Sequence, residues 1–227
     1  MSNLLTKRKK IRMQKHDNDK ILNQRLYNAL FGIVVLYGLI LNYLLCAYGL
    51  DFAMSIKPAI LIISYFSLGV IGVILSSVSK NSIVSFFGYN LLVVPNGLVL
   101  SIVLQEYGGI DSIIVKQAFL YTAIITGVMI TLGVLYPKFF EKIGRILFVA
   151  LLGLVITCII MFIFNIDNVI ISWISAIIYS LYIGYDIYIS QKFEKTADNA
   201  VDCAIDIYLD IIGLFINILE ILEDADD

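Results

Sequence analysis

Histidine, cysteine and charge are all scarce in this chain. The single histidine, His16, precedes the first long apolar run, so zinc hydrolase chemistry and Ser–His catalysis are excluded from the apolar segments. The cysteines Cys46, Cys158 and Cys203 all lie in apolar runs, without the spacing of a disulfide framework or a metal site. Only 15% of the 227 residues are charged, 60% are hydrophobic, and the mean hydropathy is +0.91. This composition indicates a membrane protein.

Seven apolar segments are long enough to cross a bilayer, which requires about 20 residues. They cover residues 26–48, 59–79, 83–104, 113–135, 146–164, 169–190 and 203–222. The connections between them are too short to hold a soluble domain. We therefore expect an all-α membrane protein with a basic tail (1–25), a seven-helix transmembrane domain (26–222) and an acidic tail (223–227). In the sixth segment Ser172, Ala176, Ser180 and Gly184 recur every four residues, which predicts close helix packing.

Lysine and arginine are distributed unevenly between alternate connections. With the N-terminus inside, fourteen of the sixteen basic residues lie on the inner side, and only Lys57 and Lys116 lie outside. Because basic residues are retained on the cytoplasmic side of membrane helices, this distribution predicts a cytoplasmic N-terminus and an external C-terminus. Eight of the basic residues fall between positions 7 and 25. We interpret this cluster as a topology signal and not as a nucleic-acid site.

Three aspartates repeat every four residues in the last apolar segment, AVDCAIDIYLDIIGLFINIL (200–219). Positions four apart share one face of an α-helix, so Asp202, Asp206 and Asp210 form a stripe. Asp202, like Asp198 before it, is expected near the cytoplasmic end, where a carboxylate at a helix N-terminus is solvated and favourable. Asp210 lies about 10 Å along the apolar part of the helix, at about 1.5 Å per residue.

The preceding segment ends in SLYIGYDIYIS (180–190), which places Asp186 about 6 Å from its cytoplasmic end. Two antiparallel helices joined by a short loop bring Asp186 and Asp210 to similar depth, with Ser175, Tyr179 and Tyr182 on the Asp186 face. No segment has a lysine or arginine in its interior, so the two carboxyl groups face each other or a wet cavity and share a proton.

An intramembrane ionisable residue is by default a functional candidate, and Ca²⁺ prefers carboxylate and carbonyl oxygens. The pair therefore predicts a proton-sensitive cation site. Two alternatives are protonated aspartates that only hydrogen-bond helices together, and catalysis.

Three motifs resemble those of the transmembrane Bax inhibitor motif family, in particular its bacterial calcium-leak branch: AFLYTA (118–123), SLYIGYD (180–186) and IDIYLDIIGLF (205–215). The resemblance covers residues 26–222. It implies a bundle of seven helices with the seventh at the centre, and a pH-dependent Ca²⁺ leak that needs no cofactor. It also implies that Asp186 and Asp210 are the pH-sensing and metal-binding pair, while Asp206 matches a position that is acidic in only some relatives. We expect a monomer in the bacterial plasma membrane.

The chain departs from these relatives at two positions. Relatives can carry an arginine near the cytoplasmic end of the second helix that latches onto the aspartate of the sixth helix in the closed state. This chain offers only Lys80 there, which is the candidate latch. Gly213 stands where relatives often have an asparagine, which removes a polar side chain from the seventh helix.

Two other function classes fit parts of the sequence. An intramembrane aspartyl protease also needs two aspartates on adjacent helices, and Tyr185 and Asp186 supply its YD dipeptide. Its GxGD motif is absent, because Tyr208 and Leu209 precede Asp210, and none of the three prolines is followed by Ala-Leu. We therefore expect no enzymatic activity. A membrane regulatory protein that acts through protein partners, in stress or protease control, is the alternative to the channel.

Overall fold

The computed structural model describes residues 20–164 and 168–226, and this part of the chain is helical with no strand. Its helices are numbered here in chain order: α1 (Gln24–Tyr48), α2 (Leu50–Ser55), α3 (Pro58–Val78), α4 (Ser82–Glu106), α5 (Ile113–Leu135), α6 (Pro137–Phe164), α7 (Val169–Ser190) and α8 (Ala197–Asp226).

Most of the long helices begin at residues that favour a helix start. Asn23, Asn81, Ser112 and Asn168 directly precede α1, α4, α5 and α7, and each side chain accepts a hydrogen bond from a backbone N–H of the first turn. Pro58 is the first residue of α3, where its missing N–H has no helical partner to lose. These local signals explain why the helices start close to the predicted segments.

Two predicted connections are mostly helical. Residues 136–145 were expected to form a loop, but α6 begins at Pro137, directly after α5. Proline is well tolerated in the first turn of a helix, and Phe140 buries its ring there at 1% exposure. The connection DFAMSIKP (51–58) likewise lies partly in the short helix α2.

Six helices of the described residues are long and apolar enough to cross a membrane, namely α1, α3, α4, α5, α6 and α7. Large apolar side chains point outward on them, such as Ile63 of α3 at 66% exposure and Val149 of α6 at 67%. Such faces suit contact with lipid. The last helix, α8, is not among the six because it carries Asp202, Asp206, Asp210 and further acidic residues. The seventh crossing stays a prediction.

The described residues form two compact units. The first unit consists of the residues up to Ile110 together with Lys192–Tyr208, and so contains α1 to α4 and the beginning of α8. The second unit consists of Asp111–Gln191 and the residues from Leu209 onward, and so contains α5, α6, α7 and the rest of α8.

Close backbone packing and a buried side-chain amide hold the helices of the first unit together. A Cβ at Gly72 of α3 would overlap the carbonyl oxygen of Gly88 in α4, and a Cβ at Gly88 would lie 2.7 Å from the carbonyl oxygen of Gly72. The Asn42 amide of α1 donates to the Tyr208 hydroxyl of α8 at 2.6 Å. The Tyr208 ring meets the Tyr89 ring of α4 edge-on, with 5.5 Å between centroids.

The second unit packs through small and aromatic residues. A Cβ at Gly133 of α5 would lie 2.5 Å from the carbonyl oxygen of Gly184 in α7, so the two backbones are in contact there. This confirms the packing role predicted for the small residues of α7 at its Gly184 end. The Phe119 ring of α5 contacts the Phe215 ring of α8, with 4.6 Å between centroids.

Candidate functional site

Asp186 lies near the end of α7 and Asp210 lies in the middle of α8, both within the second unit. Asp186 is half-buried and Asp210 is buried. Both carboxyl groups interact electrostatically with the Tyr182 hydroxyl group, and Tyr182 precedes Asp186 by one helical turn. The structure therefore gathers these three side chains in one place, while the functional role of the two aspartates stays a prediction.

The α7 and α8 helices of the second unit run antiparallel in a defined register. The Ser172 hydroxyl donates a hydrogen bond to the Glu220 carboxylate at 2.5 Å. Tyr179 lies seven residues after Ser172 on α7, and Gly213 lies seven residues before Glu220 on α8. The Tyr179 ring packs on Gly213, where an added Cβ would lie 2.7 Å from the ring. Extending this register by three residues from each contact sets Ser175 opposite Asn217, and Tyr182 opposite Asp210. We call this line of side chains the polar seam.

Several oxygen atoms of the second unit have the capacity to accept further hydrogen bonds. The Asn217 amide donates to the Gly213 carbonyl oxygen at 2.7 Å, which leaves the Asn217 Oδ1 as an acceptor. On α5, the hydroxyl oxygens of Thr122 and Thr126 are buried without a hydrogen-bond partner. Buried hydroxyl groups of this kind are normally satisfied by water or an ion.

The other residues of the predicted site lie in the first unit. Asp206 is half-buried on α8, one turn before Asp210. Lys80 is exposed in the connection between α3 and α4. Its action as a latch on Asp186 stays a prediction. Among the residues that the structure describes, no three His, Cys, Asp or Glu side chains converge as a metal site.

The expectation that Asp202 is a solvated residue at the helix start is wrong, because its exposure is 2%. The helix begins at Ala197 and the Thr196 hydroxyl caps it, which puts Asp202 in the second turn. Asp198 does lie in the first turn, and it accepts a hydrogen bond from the Ser85 hydroxyl of α4 at 2.6 Å. Both carboxylates are thus part of the packed structure of the first unit.

Sequence reasoning missed Glu220 and its partner Ser172. The signal was available, since helical spacing of three and four residues leads from Asp210 through Gly213 and Asn217 to Glu220. Ser172 was recognised only as one of the small residues of α7. Its contact with Glu220 depends on how two helices align, which a spacing rule within one helix does not reveal.

Comparison with known proteins gives a family. A sequence model described as inhibitor of apoptosis-promoting Bax1 matches residues 19–227. The chain belongs to the Bax inhibitor family. This confirms the resemblance seen in SLYIGYD and IDIYLDIIGLF. The family and the six apolar helices together identify an integral membrane protein.

Curated relatives of this Bax inhibitor family chain include uncharacterized proteins of two bacterial genera. One from Helicobacter pylori strain J99 is 35% identical over 111 residues, which is 48% of this chain and 47% of the relative. Another from Helicobacter pylori strain 26695 is 34% identical over 109 residues, 47% of this chain and 46% of the relative. One from Campylobacter jejuni is 30% identical over 127 residues, 55% of this chain and 53% of the relative. The chain spans about half the length of these relatives.

Proposed function

We propose that this Bax inhibitor family protein is a proton-sensitive calcium leak channel of the bacterial plasma membrane. Asp186 and Asp210 form its pH-sensing pair. The observation that carries the proposal is the register of α7 on α8 in the second unit, which the Ser172–Glu220 hydrogen bond and the Tyr179–Gly213 contact define. This register sets Tyr182 opposite Asp210, one helical turn from Asp186. A pair of carboxyl groups at one place among apolar helices is expensive to ionise fully, so the pair takes up a proton readily.

Protons and Ca²⁺ compete for the same carboxylate oxygens. As the pH falls, protonation removes the negative charge that attracts the cation, so Ca²⁺ binding by Asp186 and Asp210 weakens. The phenol groups of Tyr182 and Tyr185 share this part of α7, and the ordinary pKa of a phenol is about 10. The two aspartates are therefore the groups whose charge changes there, and the flux depends on pH through them.

The polar seam supports a path that continues beyond the pair. Two carboxylates offer at most about four oxygens, whereas a stable Ca²⁺ site uses about six to eight, so the pair holds the ion weakly enough to release it. The oxygens of Ser175 and Asn217 follow along the seam, and the Ser172–Glu220 pair lies at its far end. The carboxylate of Glu220 attracts cations to that end.

In this proposal α8 crosses the membrane as the seventh span, with the N-terminus of the chain inside and its C-terminus outside. A span that is surrounded by protein can carry acidic residues that a lipid-facing span cannot. The uninterrupted burial of Ala200 to Ile205 supports this, because six successive positions of a helix cover all of its faces.

Calcium flux into liposomes that contain the purified protein and an indicator tests the proposal. The parent protein should conduct Ca²⁺ with a rate that changes between about pH 5 and pH 8, where a shared proton of a carboxyl pair titrates. The Asp210→Asn variant keeps the shape of the side chain and should lose the pH dependence. Asp224→Asn, at an exposed position of the same helix, is the matched control and should behave like the parent.

Two results would count against the channel. Silence of the parent protein across this pH range, in liposomes without any partner protein, would favour a regulatory protein. A parent that conducts, together with an Asp210→Asn variant that titrates in the same way, would remove Asp210 from the pH-sensing pair.

A further inference from the structure

An open apolar groove lies on the first unit, where α4 and α8 begin. Its volume is about 420 Å³, within the range of about 300 to 1,000 Å³ that is typical of ligand sites. Its apolar walls come from three helices: Leu30, Ile33 and Val34 of α1, Ile83 and Phe86 of α4, and Val201 of α8. Two of these side chains are strongly exposed, Ile33 at 63% and Ile83 at 77%. An exposed apolar groove on membrane helices suits an acyl chain.

One end of the groove reaches the first residues of two helices, Ser82 of α4 and Ala197 of α8. Lys80 and Lys195 each precede these residues by two positions. Helix N-termini carry a partial positive charge, so they favour an anion at this end. The apolar groove thus opens onto a region that is suited to a negatively charged group.

The position of Lys195 is defined by its contacts with the start of α1. Its ammonium group lies 4.7 Å from the centroid of the Tyr27 ring. Its carbonyl oxygen accepts a hydrogen bond from the Leu22 N–H at 2.7 Å. Because Tyr27 lies one turn before Leu30, these contacts place Lys195 beside the groove.

The charges at this end of the first unit are mainly positive. The segments that precede α1, α4 and α8, with the first turns of α1 and α8, contain five basic residues: Lys20, Arg25, Lys80, Lys192 and Lys195. They contain two acidic residues, Glu194 and Asp198, and Asp198 accepts the hydrogen bond of Ser85. Basic residues next to a membrane helix attract anionic lipids, with a contribution of about fivefold per residue.

We propose that the first unit binds an anionic glycerophospholipid. One acyl chain lies in the apolar groove, and the phosphate group is held by the basic residues beside the starts of α1, α4 and α8. Apolar walls alone would accept any lipid, whereas the charge at the end of the groove selects the anionic ones. The groove and these basic residues lie in the first unit, whereas Asp186, Asp210 and the polar seam lie in the second.

Tryptophan quenching by lipids with brominated acyl chains tests the site. The only tryptophan of the chain, Trp173, is first replaced in a Trp173→Phe background. An Ile33→Trp change then puts the probe in the groove, and a Val149→Trp change on the exposed face of α6 provides the matched control. Quenching by brominated phosphatidylglycerol is compared with quenching by brominated phosphatidylcholine in vesicles of both lipids.

At the Ile33 position we expect phosphatidylglycerol to bind about fivefold more tightly than phosphatidylcholine, or more. At the Val149 position we expect no preference. Arg25→Gln combined with Lys80→Gln should reduce the preference at Ile33 at least about fivefold and leave quenching by phosphatidylcholine unchanged. Three results would each overturn the proposal: equal affinities of the two lipids at Ile33, the same preference at Val149, or a preference at Ile33 that is undiminished after loss of Arg25 and Lys80.

Discussion

The contact between Gly213 and Tyr179 offers a direct test of the polar seam. A Cβ at Gly213 would lie 2.7 Å from two carbon atoms of the Tyr179 ring and 3.0 Å from a third. Carbon atoms pack at about 3.5 to 4.0 Å, so a Gly213→Ala change requires the ring or the helix to move by about 1 Å. Overpacking of this kind destabilises a protein by about 1 to 3 kcal/mol.

A second glycine of the same unit separates this effect from helix propensity. Alanine is more favourable than glycine inside a helix by about 0.5 to 1 kcal/mol, which applies at both positions. At Gly127 of α5 a Cβ would meet nothing within 4 Å, so Gly127→Ala should show only the gain. The two variants should therefore differ by about 1 to 3 kcal/mol, or about 2 to 12 °C in melting temperature for a chain of this length.

Thermal unfolding in detergent measures this difference, and liposome flux measures its functional effect. Displacement of Tyr179 alters the seam one turn from Tyr182, so Gly213→Ala should lower Ca²⁺ flux several-fold while Gly127→Ala leaves it unchanged. A Gly213→Ala protein that melts as high as the Gly127→Ala protein would refute the close packing of α7 on α8. A normal flux from a destabilised Gly213→Ala protein would separate the seam from the path.

Three further changes test other contacts. Lys80→Ala should alter the flux only slightly, and a large gain in leak at neutral pH would show that Lys80 is the latch. Glu220→Gln removes the charge at the far end of the seam and should reduce Ca²⁺ flux several-fold without moving the pH midpoint of the flux. The control change Asp226→Asn should have no effect. Equal flux from the two variants would exclude Glu220 from the path. Ser85→Ala removes the hydrogen bond to Asp198 and should lower the free energy of unfolding by about 1.5 to 3 kcal/mol, which thermal melts would detect.

Much of the fold follows from signals within short stretches of sequence. Apolar length locates the six candidate spans, and capping residues such as Asn23 and Ser112 explain where helices begin. The start of α6 was missed because the charged residues after Pro137 resemble a loop. A helix is nevertheless stable there, because proline is favourable at a helix start and the Phe140 ring is buried.

The candidate site was only partly predictable, for a different reason. The stripe of aspartates is a property of one helix and can be read from spacing. The burial of Asp202 depends on the residues packed around it, and the Ser172–Glu220 hydrogen bond joins positions 48 residues apart. Such contacts depend on the alignment of whole helices, so neither was available from local pattern.

The close approach of Gly72 and Gly88 has a consequence for biogenesis. The α3 helix packs mainly on α4, the helix synthesised directly after it, and the residues between them are few. A hairpin of this kind can enter the bilayer as one preformed pair, because α3 is already synthesised when α4 leaves the ribosome and the two helices can pack at once. A bulkier residue at either glycine would then disturb the insertion of this helix pair. It would lower the amount of protein in the membrane, in addition to any effect on the stability of the folded protein.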